Sequence, residues 1–190
     1  MRGLTAAPRA AGQDPYRDRA RRGGGRAPGR LQHQSHVHAN GTGAGPGLTI
    51  GAALALLHSD RTVMGVMGDG EFLQGVTALW TAAHYQIPAL FIISNNRSNY
   101  NDEIHQAAMA KERGRPPQNR WVGQQIDKPA PDLAALARAQ GVDAEGPVKN
   151  VPDLMAAIER GLAAVDAGKL YLIDAHVALG YTKKIVTRGH

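Results

Sequence analysis

The rhythm of apolar and polar residues changes near residue 41. Upstream, only Leu4, Leu31 and Val37 are aliphatic side chains larger than alanine. Such a segment cannot bury enough apolar area to offset its ordering entropy, so residues 1–40 are expected to form a disordered Arg/Gly-rich tail. Downstream, residues 48–58 form an Ala/Leu-rich run of helical character. Residues 63–67 are an apolar run broken only by Gly65 and read as a buried strand that ends at Gly68-Asp69-Gly70. Over residues 75–86, Val76, Leu79, Trp80 and Ala83 recur at helical spacing, and Pro88 stops that helix. Residues 89–94 are a second apolar strand, ending at Asn95-Asn96.

A polar stretch from 97 to about 130 reads as a long, partly helical loop. Helices are expected over 132–140, closed by Gly141, and from Pro152 to about Asp166. Strands are expected near 142–144 and 170–177, and a basic tail follows Gly180. Apolar strands alternating with amphipathic helices predict an α/β fold, a doubly wound, mostly parallel sheet with helices on both faces. The expected organisation is a tail over 1–40 and one domain over 41–190.

Composition changes this picture in two respects. The formal charge of +6 sits entirely in residues 1–40, which hold eight arginines and two aspartates; the remainder is neutral. The high pI therefore describes the tail. Its run Arg21-Arg22-Gly23-Gly24-Gly25-Arg26 could touch nucleic acid, but only Tyr16 is available there to stack on bases, so a solvated tail or a misread gene start is preferred. His33, His36 and His38 could bind a transition metal, but lie without carboxylates in a floppy segment. The chain has no cysteine, which excludes disulfides and thiolate sites and fits a reducing cytoplasm. No apolar run is long enough to span a membrane.

The candidate chemistry lies at two strand ends. Ligands of open parallel sheets bind outside the carboxyl ends of the strands. Asp69 and Asn96 follow consecutive strands, one crossover apart, and can converge above the sheet. A carboxylate and an amide oxygen are hard donors suited to Mg²⁺ or Ca²⁺, and Mg²⁺ fills its octahedron with phosphate oxygens and water. Glycines beside Asp69 let backbone N–H groups approach a phosphate, and a helix N-terminus favours an anion. Taken singly, Gly-Asp-Gly is a tight turn and Asn-Asn a capping or Asx turn. At consecutive strand ends, a metal-bridged diphosphate site is the better reading.

Gly68-Asp69-Gly70, then 24 residues, then Asn95-Asn96 resembles the signature of thiamine-diphosphate-dependent enzymes. Ala78-Leu79-Trp80-Thr81-Ala82-Ala83, Tyr85 and Ile87-Pro88 resemble the benzoylformate decarboxylase and acetolactate synthase group, as does the Gly-rich entry Gly43-Ala44-Gly45-Pro46-Gly47 with Gly51-Ala52-Ala53. The resemblance covers about residues 41–182. It implies the cofactors thiamine diphosphate and Mg²⁺, with Asp69 and Asn96 as metal ligands and Ser98 as a third through its backbone carbonyl. It further implies that Gly68 and the N–H groups of Gly70 and Glu71 meet the diphosphate, and that segment 98–106, with Tyr100, His105 and Gln106, borders the thiazolium and substrate. For those three a plain surface-loop role is equally open. Glu71 departs from the small residue expected there, and its carboxylate must point away from a diphosphate.

The implied activity is that of a 2-oxo-acid decarboxylase or an acetolactate-synthase-like enzyme, with a small 2-oxo acid as substrate. In this group the activating glutamate stands on a separate pyrimidine-binding domain, for which about 150 foldable residues leave no room. The catalytic residue is therefore expected on a partner domain or subunit in an oligomer, the chain being a fragment, a split subunit or a mis-started gene product. The rival reading is a binding-only or inactive domain. A nicotinamide dehydrogenase is disfavoured, because no GxGxxG opens a helix after a strand.

Overall fold

A computed structural model describes residues 42–180. The tail, with its arginine run and histidine cluster, and the basic segment beyond Gly180 lie outside the described residues. The chain divides into two units, Met1–Ser35 and His36–His190, and every described residue belongs to the second.

In chain order the elements are α1 (Ala44–Ala55), β1 (Met64–Gly68), α2 (Asp69–Gly75), α3 (Ala78–His84), β2 (Leu90–Asn95), α4 (Tyr100–Glu112), α5 (Leu133–Ala139), β3 (Asp143–Val148), α6 (Val151–Asp166) and β4 (Tyr171–His176), with a short 3-10 turn at Pro117–Asn119. The four strands form one all-parallel sheet in the order β1-β2-β4-β3. The parallel α/β fold is as expected, with helices against both faces.

Side chains alternate across each strand, so each face of the sheet has its own core. Phe91 and Ile93 of β2 and Leu172 of β4 pack with Ile50 and Ala53 of α1, Phe72 of α2, Leu79 and Ala82 of α3, and Leu133 and Ala137 of α5. On the opposite face Leu90 and Ile173 pack with Ala157 and Val165 of α6. Met64 and Val66 share this second face through their pairing with Leu90 and Ile92, yet they are exposed, because α6 packs against β2, β3 and β4.

The helices have local causes. Asp132 Oδ1 accepts from Ala135 N at 2.7 Å at the start of α5, and Asn150 Oδ1 accepts from Asp153 N at 2.9 Å at the start of α6, where Pro152 needs no donor. Gly141 and Gly168, both at positive φ, follow the ends of these helices.

One expectation needs correction. The helix after the first strand begins at Asp69 rather than near 75, and α2 and α3 are joined by Val76 and Thr77 in helical conformation. Gly70 and Gly75 give this turn poor intrinsic propensity, but full burial of Phe72 overrides it. The stretch from 97 to 130, read as a partly helical loop, holds a 13-residue helix, α4, in keeping with that reading.

Candidate functional site

Gly68 pairs with Ser94 in parallel register, so Asp69 and Asn95 leave adjacent strands at the same level, with about 4.8 Å between the strands. Asp69 then starts α2. Its carboxylate is buried; Oδ1 accepts from Gly70 N at 2.9 Å, and Oδ2 has no hydrogen-bond partner among the described residues. Burial raises its pKa above the usual carboxylate value, while the backbone N–H groups of Gly70, Arg97, Asp69 itself and Ser98 pull the other way. The carboxylate thus faces the backbone that follows Asn96, across the gap between the two strand ends.

The chain leaving β2 is held by its own asparagines. Asn95 is buried; its Nδ2 donates to Asp174 Oδ1 at 2.9 Å, and its Oδ1 accepts from Arg97 N at 3.2 Å. Asn96 Oδ1 accepts from Ser98 N at 2.9 Å, an Asx turn that leaves the amide oxygen a second lone pair. Arg97 lies in the left-handed region at φ 60, which reverses the chain. Ser98 then bridges Gln125 antiparallel, with Ile126 N donating to Arg97 O at 2.8 Å and Asn99 N to Gln124 O at 3.0 Å. In such a pair the bonds come from the flanking residues, so the Ser98 N–H and C=O face away from Gln125. The Ser98 hydroxyl donates to the buried Glu103 carboxylate, whose other oxygen lies 3.7 Å from Arg120 Nε.

The glycines divide the work. A Cβ on Gly68 would meet nothing within 4 Å, so the end of β1 is open to an approaching group. A Cβ on Gly70 would strike the Asn99 side chain, at 2.0 Å from Oδ1, so only glycine lets Asn99 lie over the first turn of α2. Glu71 turns its carboxylate away, its Oε1 accepting from Gly45 N at 2.7 Å. The N-cap of α1, Gly43, has no side chain to offer, and Glu71 supplies the missing acceptor from the next helix.

The structure brings Gly68, Asp69, Gly70, Asn96 and Ser98 together around the paired ends of β1 and β2. Tyr100, His105 and Gln106 all fall on α4. His105 is exposed, and Gln106 lines a cavity of about 280 Å³ with Arg113, Arg115, Asn119 and Arg120. Sequence reading missed Asp174, which is buried on β4, bonded to Asn95 and 3.6 Å from His176 Nε2. The signal was available: an aspartate inside an apolar strand is rarely buried without a partner.

No cluster of three or more His, Cys, Asp or Glu side chains suited to a metal occurs among the described residues. The donors present are one carboxylate oxygen left without a partner, one amide oxygen and one backbone carbonyl. That hard-oxygen set fits a cation that completes its shell with phosphate and water, and the opening at Gly68 fits the phosphate.

The chain is similar in sequence and in fold to known proteins. The benzoylformate decarboxylase of Pseudomonas aeruginosa is 38% identical over 106 residues, 56% of this chain and 18% of that protein. The acetolactate synthase large subunit of Pyropia yezoensis is 30% identical over 135 residues, 71% of this chain and 21% of that protein. The chain therefore spans about a fifth of the length of these relatives. Among solved structures, the thiamine diphosphate-dependent 4-hydroxybenzoylformate decarboxylase of Rhodococcus jostii RHA1 superposes with a TM-score of 0.57 at 31% identity, covering 74% of this chain and 24% of that one. The benzoylformate decarboxylase of Polynucleobacter necessarius gives 0.56 at 21% identity, over 75% of this chain and 25% of its own, a likeness of fold alone. Residues 24–175 match the family described as thiamine pyrophosphate enzyme, C-terminal TPP binding domain, and the chain belongs to that family.

Proposed function

We propose that this domain binds Mg²⁺–thiamine diphosphate and serves as the diphosphate-binding half of a 2-oxo-acid decarboxylase or acetolactate-synthase-like enzyme. The observation that carries the reading is Asp69 Oδ2, buried and without a partner beside the chain that leaves β2. An orphaned buried oxygen costs about 1–3 kcal/mol, a cost that a bound cation would remove. Asp69 and Asn96 would hold Mg²⁺ through side-chain oxygens and Ser98 through its carbonyl. Gly68 would leave room for the diphosphate, and the N–H groups of Gly70 and Glu71 at the start of α2 would donate to it.

When bound, thiamine diphosphate supplies the carbon nucleophile and electron sink that 2-oxo-acid decarboxylation needs. The residues of this chain hold the cofactor's charged end. Glu71 keeps its carboxylate on Gly45, so it does not repel the diphosphate. The acid–base group for the pyrimidine ring would come from a pyrimidine-binding domain or subunit in an oligomer, and such help contributes about 10²- to 10⁴-fold in rate.

The test is reconstitution. The 190-residue chain with saturating Mg²⁺ and cofactor is expected to give no measurable carbon dioxide from benzoylformate or pyruvate. Addition of the pyrimidine-binding domain of a relative in trans should start turnover. Turnover by the chain alone, at a rate the added domain does not change, would overturn the half-site reading.

A further inference from the structure

Buried carboxylates are costly unless paired and hydrogen-bonded. Among all the residues of α4, the one that is buried is a carboxylate, Glu103. Nothing in the cofactor reading uses it. Its two oxygens are committed in different directions, one to the Ser98 hydroxyl and the other toward Arg120 Nε, which is itself half exposed. Its own N–H donates to Asn99 O at 3.2 Å, so the first turn of α4 is tied to the same three-residue segment twice.

We infer that Glu103 is a positioning residue: it fixes Ser98 so that the Ser98 carbonyl faces the site of Asp69 and Asn96. The inference rests on the reading of that carbonyl as a metal ligand. Three restraints meet at Ser98. Its neighbours Arg97 and Asn99 are bonded to Ile126 and Gln124, its N–H is held by Asn96 Oδ1, and its hydroxyl is held by Glu103. The first two fix the peptide planes on either side of Ser98, since the Ser98 carbonyl shares its plane with Asn99 N, which donates to Gln124 O. The hydroxyl bond adds the third restraint, tying the Ser98 side chain to the first turn of α4, and a carboxylate acceptor makes that bond stronger than one to a neutral oxygen. Arg120 balances the remaining charge from the far side. Groups that orient a metal ligand typically carry about a 10- to 100-fold share of metal affinity when removed.

The experiment titrates Mg²⁺–thiamine diphosphate into the full chain, and records the electron paramagnetic resonance spectrum of Mn²⁺ bound with the cofactor. Ser98→Ala keeps the carbonyl and loses the hydroxyl; Glu103→Ala loses the acceptor. Each should weaken binding about 10- to 100-fold, and the double variant should bind no worse than the weaker single one. Glu103→Gln, which keeps volume and an acceptor oxygen, should fold and fall between wild type and Glu103→Ala. In the alanine variants the Mn²⁺ lines should change width, a response to ligand geometry that a general loss of stability would not produce. Wild-type affinity and an unchanged Mn²⁺ spectrum in Ser98→Ala and Glu103→Ala, with Asp69→Ala still abolishing binding, would overturn the positioning role alone. Wild-type affinity in Asp69→Ala as well would overturn the metal site on which it rests.

Discussion

Asp174 is the residue whose environment departs furthest from what its place in an apolar strand suggests. Burial raises its pKa above the ordinary 3.8, against the opposing pull of the Asn95 hydrogen bond and of His176. The folded chain thus binds that proton more tightly than the unfolded chain. The stability this group contributes is complete below pH 3.8 and is lost as pH rises through the higher folded value. Asp174→Asn cannot ionise and can still accept from Asn95. Its stability relative to wild type, from urea unfolding at a series of pH values, should rise across that window and level off above it. A difference that stays flat with pH would show that Asp174 is not ionising out of a desolvated site. At this scale the sequence was legible where residue type alone constrains chemistry. Asp69 and Asn96 stood out because a carboxylate and an amide close two apolar strands. Asp174 carried a signal as an aspartate inside an apolar strand, but its partner Asn95, 79 positions away, was not legible.

At the scale of elements, β1, β2, α6 and β4 were legible to within a few residues, because each strand is a largely apolar run, although β1 is exposed on one face, and α6 carries both a cap and a periodic stripe. The start of α2 was not, since its glycines mask a helix that packing of Phe72 stabilises. Nor was the pairing of 97–99 with 124–126, which leaves no periodic trace. The link between α1 and α2 was also hidden. Glu71 caps Gly45 from 26 positions downstream, where sequence offered only an acid misplaced beside a phosphate site. Glu71→Ala should therefore destabilise the chain by about 1 kcal/mol, the usual worth of a helix cap, seen as a lower urea midpoint with unchanged slope. An unchanged midpoint would mean that water replaces the carboxylate at no cost.

The whole molecule adds a constraint that no single element contains. Four parallel strands bring the ends of β1 and β2 level, and that places Asp69 Oδ2 against the chain that leaves β2. The orphaned oxygen, the open end of β1 at Gly68 and the diverted Glu71 carboxylate lie at one end of the sheet, where the proposed cation and phosphate would be held. The fold class and family were readable from Gly-Asp-Gly, Asn-Asn and the 24 residues between them. That Asp69 and Asn96 could converge was readable from their places after consecutive strands; the level ends of β1 and β2 and the partnerless Asp69 Oδ2 were not, because they depend on strand register and packing. Isothermal titration of thiamine diphosphate into the 190-residue chain tests that convergence most directly. Binding should be seen with Mg²⁺, vanish with EDTA, and be absent in Asp69→Ala even at saturating Mg²⁺. Equal affinity with and without the metal, or in Asp69→Ala and wild type, would contradict the account.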